Sequence, residues 1–127
     1  MQLIDTSKAP AAVGPFSQAI QSGNLLFVSG QLPVDPATGQ LAAEDSVGQL
    51  HQCMKNIIAI AEAAGTDLAH AVKVTVLLTD IAEFDAINAV YKTYFAAPYP
   101  ARLCYQVSAL PKAARVEVDA VIEIPAA

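Results

Sequence analysis

Three side chains with chemistry in them fall within sixteen positions near the end of this 127-residue chain: Arg102, Cys104 and Glu117. A guanidinium is a planar fork that captures a carboxylate or phosphate through two parallel hydrogen bonds. A carboxyl partly removed from water keeps its proton to higher pH and can pass it to or from a reacting group. A thiol becomes a nucleophile once a neighbouring base or cation ionises it. Arg102 held out of water needs a partner, because an unpaired buried charge costs several kcal/mol. That partner is either Glu117 or Asp119 in a structural ion pair, or an anion brought from outside. Glu117 is either a solvated or paired strand carboxylate or a general acid and base. Cys104 has no histidine tied to it by spacing: His51 lies on a helical stretch and His70 ahead of a strand. It therefore reads as a small buried thiol, and Cys53 as core or near-surface filler.

The elements that must position these groups are legible from periodicity. Along residues 102–107, Leu103, Tyr105 and Val107 alternate with Arg102, Cys104 and Gln106; along 116–123, Val116, Val118, Ala120 and Ile122 alternate with Glu117, Asp119, Val121 and Glu123. Alternation of period two is the mark of a half-buried strand, and it predicts Arg102, Cys104 and Glu117 together on the face away from the core. Upstream, an extended piece and a turn-rich segment lead to a strand from about Ser17. Ser22-Gly23-Asn24 then turns the chain into a second strand, Leu25 to Ser29, giving a hairpin. Residues 31–40 carry two prolines and a glycine and form a loop.

Ser46 and Gln49 fit a capping box opening a helix whose apolar stripe is Val47, Leu50, Met54, Ile57, Ile58, Ala61 and Ala64, stopped by Gly65. A strand follows over about 71–78, with Val72, Val74, Val76 and Leu78 on one face. Asp80 caps a second helix with Glu83 in its first turn and Phe84, Ile87, Tyr91 and Phe95 as its buried stripe; Pro98 and Pro100 end it.

The order is β-β-β-α-β-α-β-β, one domain over residues 1–127. Right-handed crossovers place both helices on one side of a mixed sheet. The last strand can pair with its sequence neighbour or slot antiparallel between the third and fourth; the second, a split βαβ arrangement, keeps this very apolar strand central and is preferred. The uncovered face then holds Arg102, Cys104 and Glu117 beside Leu77 and Val121. With 54% apolar residues in a single small domain, that face is expected to pack on another subunit. No run is long and apolar enough to span a bilayer. Residues 1–10 lack the regions of a signal peptide, and two cysteines without one point to reduced thiols in a cytoplasmic protein. The net charge of −5, with seven Lys and Arg scattered singly, argues against nucleic acid as a partner. No CxxC, HxxxH, P-loop or Rossmann glycine pattern occurs, so neither metal nor nucleotide cofactor is expected. Gly14-Pro15-Phe16-Ser17 and Ser29-Gly30 are turn or strand-end residues that can also offer backbone to a ligand.

Several stretches, taken in order, resemble the Rid (YjgF) family of reactive-intermediate deaminases. They are Gly14-Pro15-Phe16-Ser17-Gln18-Ala19, Val28 to Pro36, Val72 to Val76, Ile87-Asn88-Ala89-Val90-Tyr91, Pro100 to Cys104, Leu110-Pro111-Lys112 and Val116-Glu117-Val118. The resemblance implies a chorismate-mutase-like α+β fold, a six-stranded mixed sheet with two helices on one face, and a homotrimer around a central barrel with ligand clefts between subunits. It also implies hydrolysis of 2-enamine and 2-imine acids such as 2-aminoacrylate to 2-keto acids and ammonia, without cofactor. Arg102 would clamp the substrate carboxylate, and Glu117 would position water and shuttle protons. Phe16, Ser29, Gly30, Asn88 and Cys104 would line the site, the Gly30 amide on a carboxylate oxygen. Phe16 departs from the Tyr that relatives often carry there, and it can only pack where Tyr would hydrogen-bond. Two other activities fit the same family: a 2-keto-acid binding protein or sensor with little turnover, and a single-strand endoribonuclease or translation inhibitor.

Overall fold

The computed structural model describes residues 1–126. Six strands and two α-helices follow the expected order: β1 (Gln2–Ile4), β2 (Ala19–Ser22), β3 (Leu25–Gln31), α1 (Ser46–Ala63), β4 (Ala71–Leu78), α2 (Phe84–Tyr91), β5 (Ala101–Gln106) and β6 (Val116–Glu123). The sheet runs β1-β2-β3-β6-β4-β5. β6 is antiparallel to both β3 and β4, and β4 is parallel to β5, as a split βαβ requires. Hydrophobicity explains the central place of β6: Val116, Val118, Ala120 and Ile122 are all buried beneath the helices. Among the described residues no helix is long and apolar enough to cross a membrane.

Helix α1 buries Leu50, Cys53, Met54, Ile57, Ile60 and Ala61 on that sheet, so Cys53 is core. Its cap is not the predicted box. The Asp45 carboxylate accepts the Gly48 amide at 2.9 Å, because an ionised acceptor at the positive end of a helix outcompetes the neighbouring hydroxyl. Ser46 instead donates to Glu83 at the start of the second helical segment. Gln49 ties two loops to the helix, accepting from the Arg115 amide at 2.7 Å and donating to the Ala43 carbonyl at 3.1 Å. Gly65, at φ +82°, closes the helix as expected.

Asp80 does cap the second helical segment, accepting the Ala82 amide at 3.0 Å. The segment is tighter at both ends: 3₁₀ turns at Ile81–Glu83 and Lys92–Tyr94 flank α2. Phe95 thus lies beyond the helix in extended backbone, though its ring still sits 4.8 Å from that of Tyr91. On β4, Val74, Val76 and Leu78 are buried, but Val72 is 45% exposed because the register with β6 slips between Ala71 and Lys73 and turns it outward.

The largest correction concerns β5. In the parallel ladder Arg102 pairs with Val74 and Cys104 with Val76, both fully buried under the helices. Residues in register share a face, so Arg102 and Cys104 project to the helix side. Leu103 and Tyr105 take the open face at 48% and 46% exposure. Glu117, in register with Leu77, is on that open face as well. Arg102, Cys104 and Glu117 therefore do not face the same way. Alternation tells which residues share a face but not which face is covered, and on this edge strand aromatic side chains of α2 make the helix side the better place for a guanidinium.

Candidate active site

The candidate residues fall into two groups, one on each face of the sheet. On the helix side, Arg102 Nη1 donates to Asn88 Oδ1 at 2.6 Å. The guanidinium carbon lies 4.8 Å from the Tyr91 ring centroid and 5.6 Å from that of Phe84. Phe84, Asn88 and Tyr91 stand four and three residues apart on α2, the spacing that lines up one helix face. Among the described residues the ion pairs are Arg115 with Glu83 at 3.5 Å and His70 with Asp67 at 2.9 Å; Arg102 has no carboxylate. Neither Glu117 nor Asp119 serves as its structural partner. Cys104, half-buried beside it, packs against the core. Burial pushes the thiol's pKa up, with Arg102 pulling partly the other way, so Cys104 is a neutral thiol at pH 7.

On the open face, Glu117 stands on the central strand against a bulge in β3. Val28 pairs with Ala120 but Gln31 with Val118, so one extra residue is accommodated at Ser29-Gly30. A Cβ at Gly30 would come within 3.0 Å of Glu117 Cδ and Oε2. Only glycine lets the carboxyl lie on the backbone there. Ser29 anchors the bulge, its hydroxyl donating to the Ser17 carbonyl at 2.6 Å and its amide to the Gln18 carbonyl at 2.9 Å. That ties the Gly14–Gln18 segment to the bulge, with Phe16 on it 53% exposed. Asp119, two residues beyond Glu117, accepts the Thr75 amide at 3.1 Å. Burial first, and then repulsion from Asp119, raises the Glu117 pKa.

A recess of about 50 Å³ lies among Gly30, Thr75, Leu77, Glu117 and Asp119. That is of the order of one or two waters, at ~30 Å³ each, and too small for an organic acid. A larger hollow of about 590 Å³ lies between residues 39–44 and Gln49, Lys112 and Arg115, and none of the candidate residues lines it. Among the described residues, the candidates thus line no cavity within one chain large enough for an organic acid. Three residues of this neighbourhood escape a reading by periodicity: Phe84 and Tyr91, which look like core stripe, and Thr75. The helical spacing of Phe84, Asn88 and Tyr91 is visible in sequence, but only the β4–β5 register shows Arg102 beneath them.

The family model described as Endoribonuclease L-PSP matches residues 6–124. The chain belongs to that family. Its members include those the sequence resembles, the Rid proteins. A RutC family protein, y4sK, of Sinorhizobium fredii is 61% identical over 121 residues, 95% of this chain and 96% of that one. The goat (Capra hircus) protein named 2-iminobutanoate/2-iminopropanoate deaminase is 51% identical, over 94% of this chain and 88% of its own. The crystal structure of RidA from the Antarctic bacterium Psychrobacter sp. PAMC 21119 superposes with a TM-score of 0.94 at 47% identity, covering 98% of this chain and all of that one. The Rid fold is thus the fold of this chain, sheet order and helix placement included.

Proposed function

We propose that this protein hydrolyses 2-enamine and 2-imine acids to 2-keto acids and ammonia, as a homotrimer with each site between two subunits. The observation that carries this reading is Arg102. A half-buried guanidinium is held by neutral groups alone, Asn88 and two aromatic rings, and its remaining N–H groups suit a carboxylate from outside. The relatives named as imine deaminases support the same class of substrate. The opposite orientations of Arg102 and Glu117 support a composite site, with Arg102 from one copy and Glu117 from the next. Phe27, Leu103 and Tyr105, each close to half exposed on the open face, are the apolar surface such an assembly would cover.

The chemistry follows from the groups. Arg102 and the Gly30 amide hold the carboxylate and so fix C2. Water adds to C2 of the protonated imine while Glu117 takes its proton, giving a carbinolamine. Glu117 returns that proton to nitrogen and then takes the hydroxyl proton as the C–N bond breaks, so that the C2 carbonyl forms and ammonia leaves, carrying the last proton away as ammonium. The carboxylate is unchanged throughout, so the clamp acts on binding, whereas Glu117 acts on the moving protons. Its raised pKa places both protonation states nearer neutrality, as a residue that takes and returns a proton requires. Asn88 orients Arg102. Neutral Cys104 lines the pocket, as do Phe16 and Ser29.

One observation favours a second reading, a 2-keto-acid sensor with little turnover: Phe16 brings no hydroxyl to the cleft. Release of 2-keto acid from enzymatically generated 2-aminoacrylate separates the two. Turnover well above the spontaneous rate, falling about 10²–10³-fold in kcat/KM for Arg102→Ala with assembly unchanged by light scattering, is the deaminase result. Turnover at the protein-free rate is the sensor result.

A further inference from the structure

We propose that Tyr91, seconded by Phe84, is a positioning residue: its ring sets the plane in which Arg102 meets a carboxylate. This deepens the deaminase reading and rests on Arg102 acting there as the clamp. Tyr91 is 5% exposed and its hydroxyl, fully buried, has no hydrogen-bond partner. A buried hydroxyl without a partner is a standing cost, so the phenol is not explained by polar bonding, and in the core a phenylalanine would pack as well. What distinguishes the position is the guanidinium 4.8 Å from the ring centroid, close cation–π range.

The consequence is geometric. An arginine on an edge strand has long, flexible χ torsions and would sweep several orientations in an open half-cleft. Here Nη1 is drawn to Asn88 at 2.6 Å while Tyr91 and Phe84 flank the group, so its rotation is restrained before any ligand arrives. Both restraints come from α2, at positions 84, 88 and 91 on one face. A bidentate contact has its full worth only when both N–H groups point correctly, and pre-setting them removes ordering cost from binding.

The test needs no turnover. Nitrogen-15 NMR of the arginine guanidinium groups reports rotation about the Nε–Cζ bond. For Arg102 the proposal expects slow rotation in the wild-type protein and in Tyr91→Phe, and fast averaged rotation in Tyr91→Leu. Phe84→Leu, with a more distant ring, is the second variant and is expected to be intermediate. Kinetically, Tyr91→Leu should lower kcat/KM about tenfold through KM, with Tyr91→Phe within about threefold of wild type. In an Arg102→Ala background the same Tyr91→Leu change should have no further effect, since it acts only through Arg102. Free rotation of Arg102 in the wild-type protein, or restraint that survives Tyr91→Leu, overturns the proposal. An Arg102→Ala protein as active as wild type would instead strike the clamp reading and leave the NMR result to judge the restraint by itself.

Discussion

The Arg102 region and the Glu117 region are built on opposite principles. Arg102 stands on an edge strand and is held by side chains, the amide of Asn88 and the rings of Tyr91 and Phe84. Glu117 stands on the central strand and is held against bare backbone, where a bulge and a glycine make room for its carboxyl. A fully charged group is thus given soft, neutral partners that leave it free to take an anion. A titrating group is given a rigid seat, partial burial and a like-charged neighbour that together move its pKa. The sheet itself separates the two. A chain that carried both on one face could have a site of its own; on the proposed reading this one carries two half-sites.

The comparison can be broken most forcefully at the two residues themselves. Glu117→Gln removes proton transfer and should lower kcat about 10²–10⁴-fold with little change in KM, the reverse of the KM-weighted loss expected for Arg102→Ala. Steady-state kinetics on both variants would show whether the division of labour holds. If both lose only kcat, it does not. Gly30→Ala comes next. Its backbone conformation tolerates alanine, but the added methyl would meet the carboxyl at 3.0 Å and push it off its seat. The expected result is a roughly tenfold or larger fall in kcat with an unchanged melting temperature, because a misplacement of about 1 Å costs of that order or more.

Smaller effects sharpen the electrostatic half of the contrast. Asp119→Asn removes the like charge that helps raise the Glu117 pKa, so the acidic limb of the pH–rate profile should move to lower pH. Smallest is the effect on stability. Because the folded-state pKa of Glu117 lies above the ordinary 4.5, its contribution is fully present below that value and is lost as pH rises through the folded-state pKa. Thermal melts of Glu117→Gln against wild type should therefore show the variant gaining relative stability as pH is raised from about 4 to 7. A difference between the two curves that stays constant over that range would mean that the carboxylate is not held out of water.

Much of this architecture was written in periodicity. The alternation of Val116, Val118, Ala120 and Ile122 favoured a central β6 over pairing with its sequence neighbour, and the sheet has it between β3 and β4. Family motifs singled out Arg102, Asn88, Gly30 and Glu117, which the structure brings together only in pairs, Arg102 with Asn88 and Glu117 with Gly30. Facing was another matter. Leu103 and Tyr105 look like core by hydrophobicity, yet they occupy the open face. A pattern of period two carries no label for the covered side, and a surface meant for another subunit is as apolar as a core. The cap of α1 failed for a local reason: Asp45 and Ser46 are adjacent and both good caps, and the charged carboxylate takes the helix amide in place of the hydroxyl. Tyr91 and Phe84 were invisible as site residues because the sequence shows helix spacing but not what lies beneath the helix.

The claim that the site is shared between copies can be tested directly by subunit mixing. Arg102→Ala and Glu117→Gln, each nearly inactive alone, are unfolded together in equal amounts and refolded. If Arg102 of one subunit works with Glu117 of the next, a random mixture should regain about a quarter of wild-type activity, because one interface in about four pairs two intact residues. Activity no higher than the average of the two parents, in trimers shown to be mixed, would contradict the composite site and require Arg102 and Glu117 of one chain to act together.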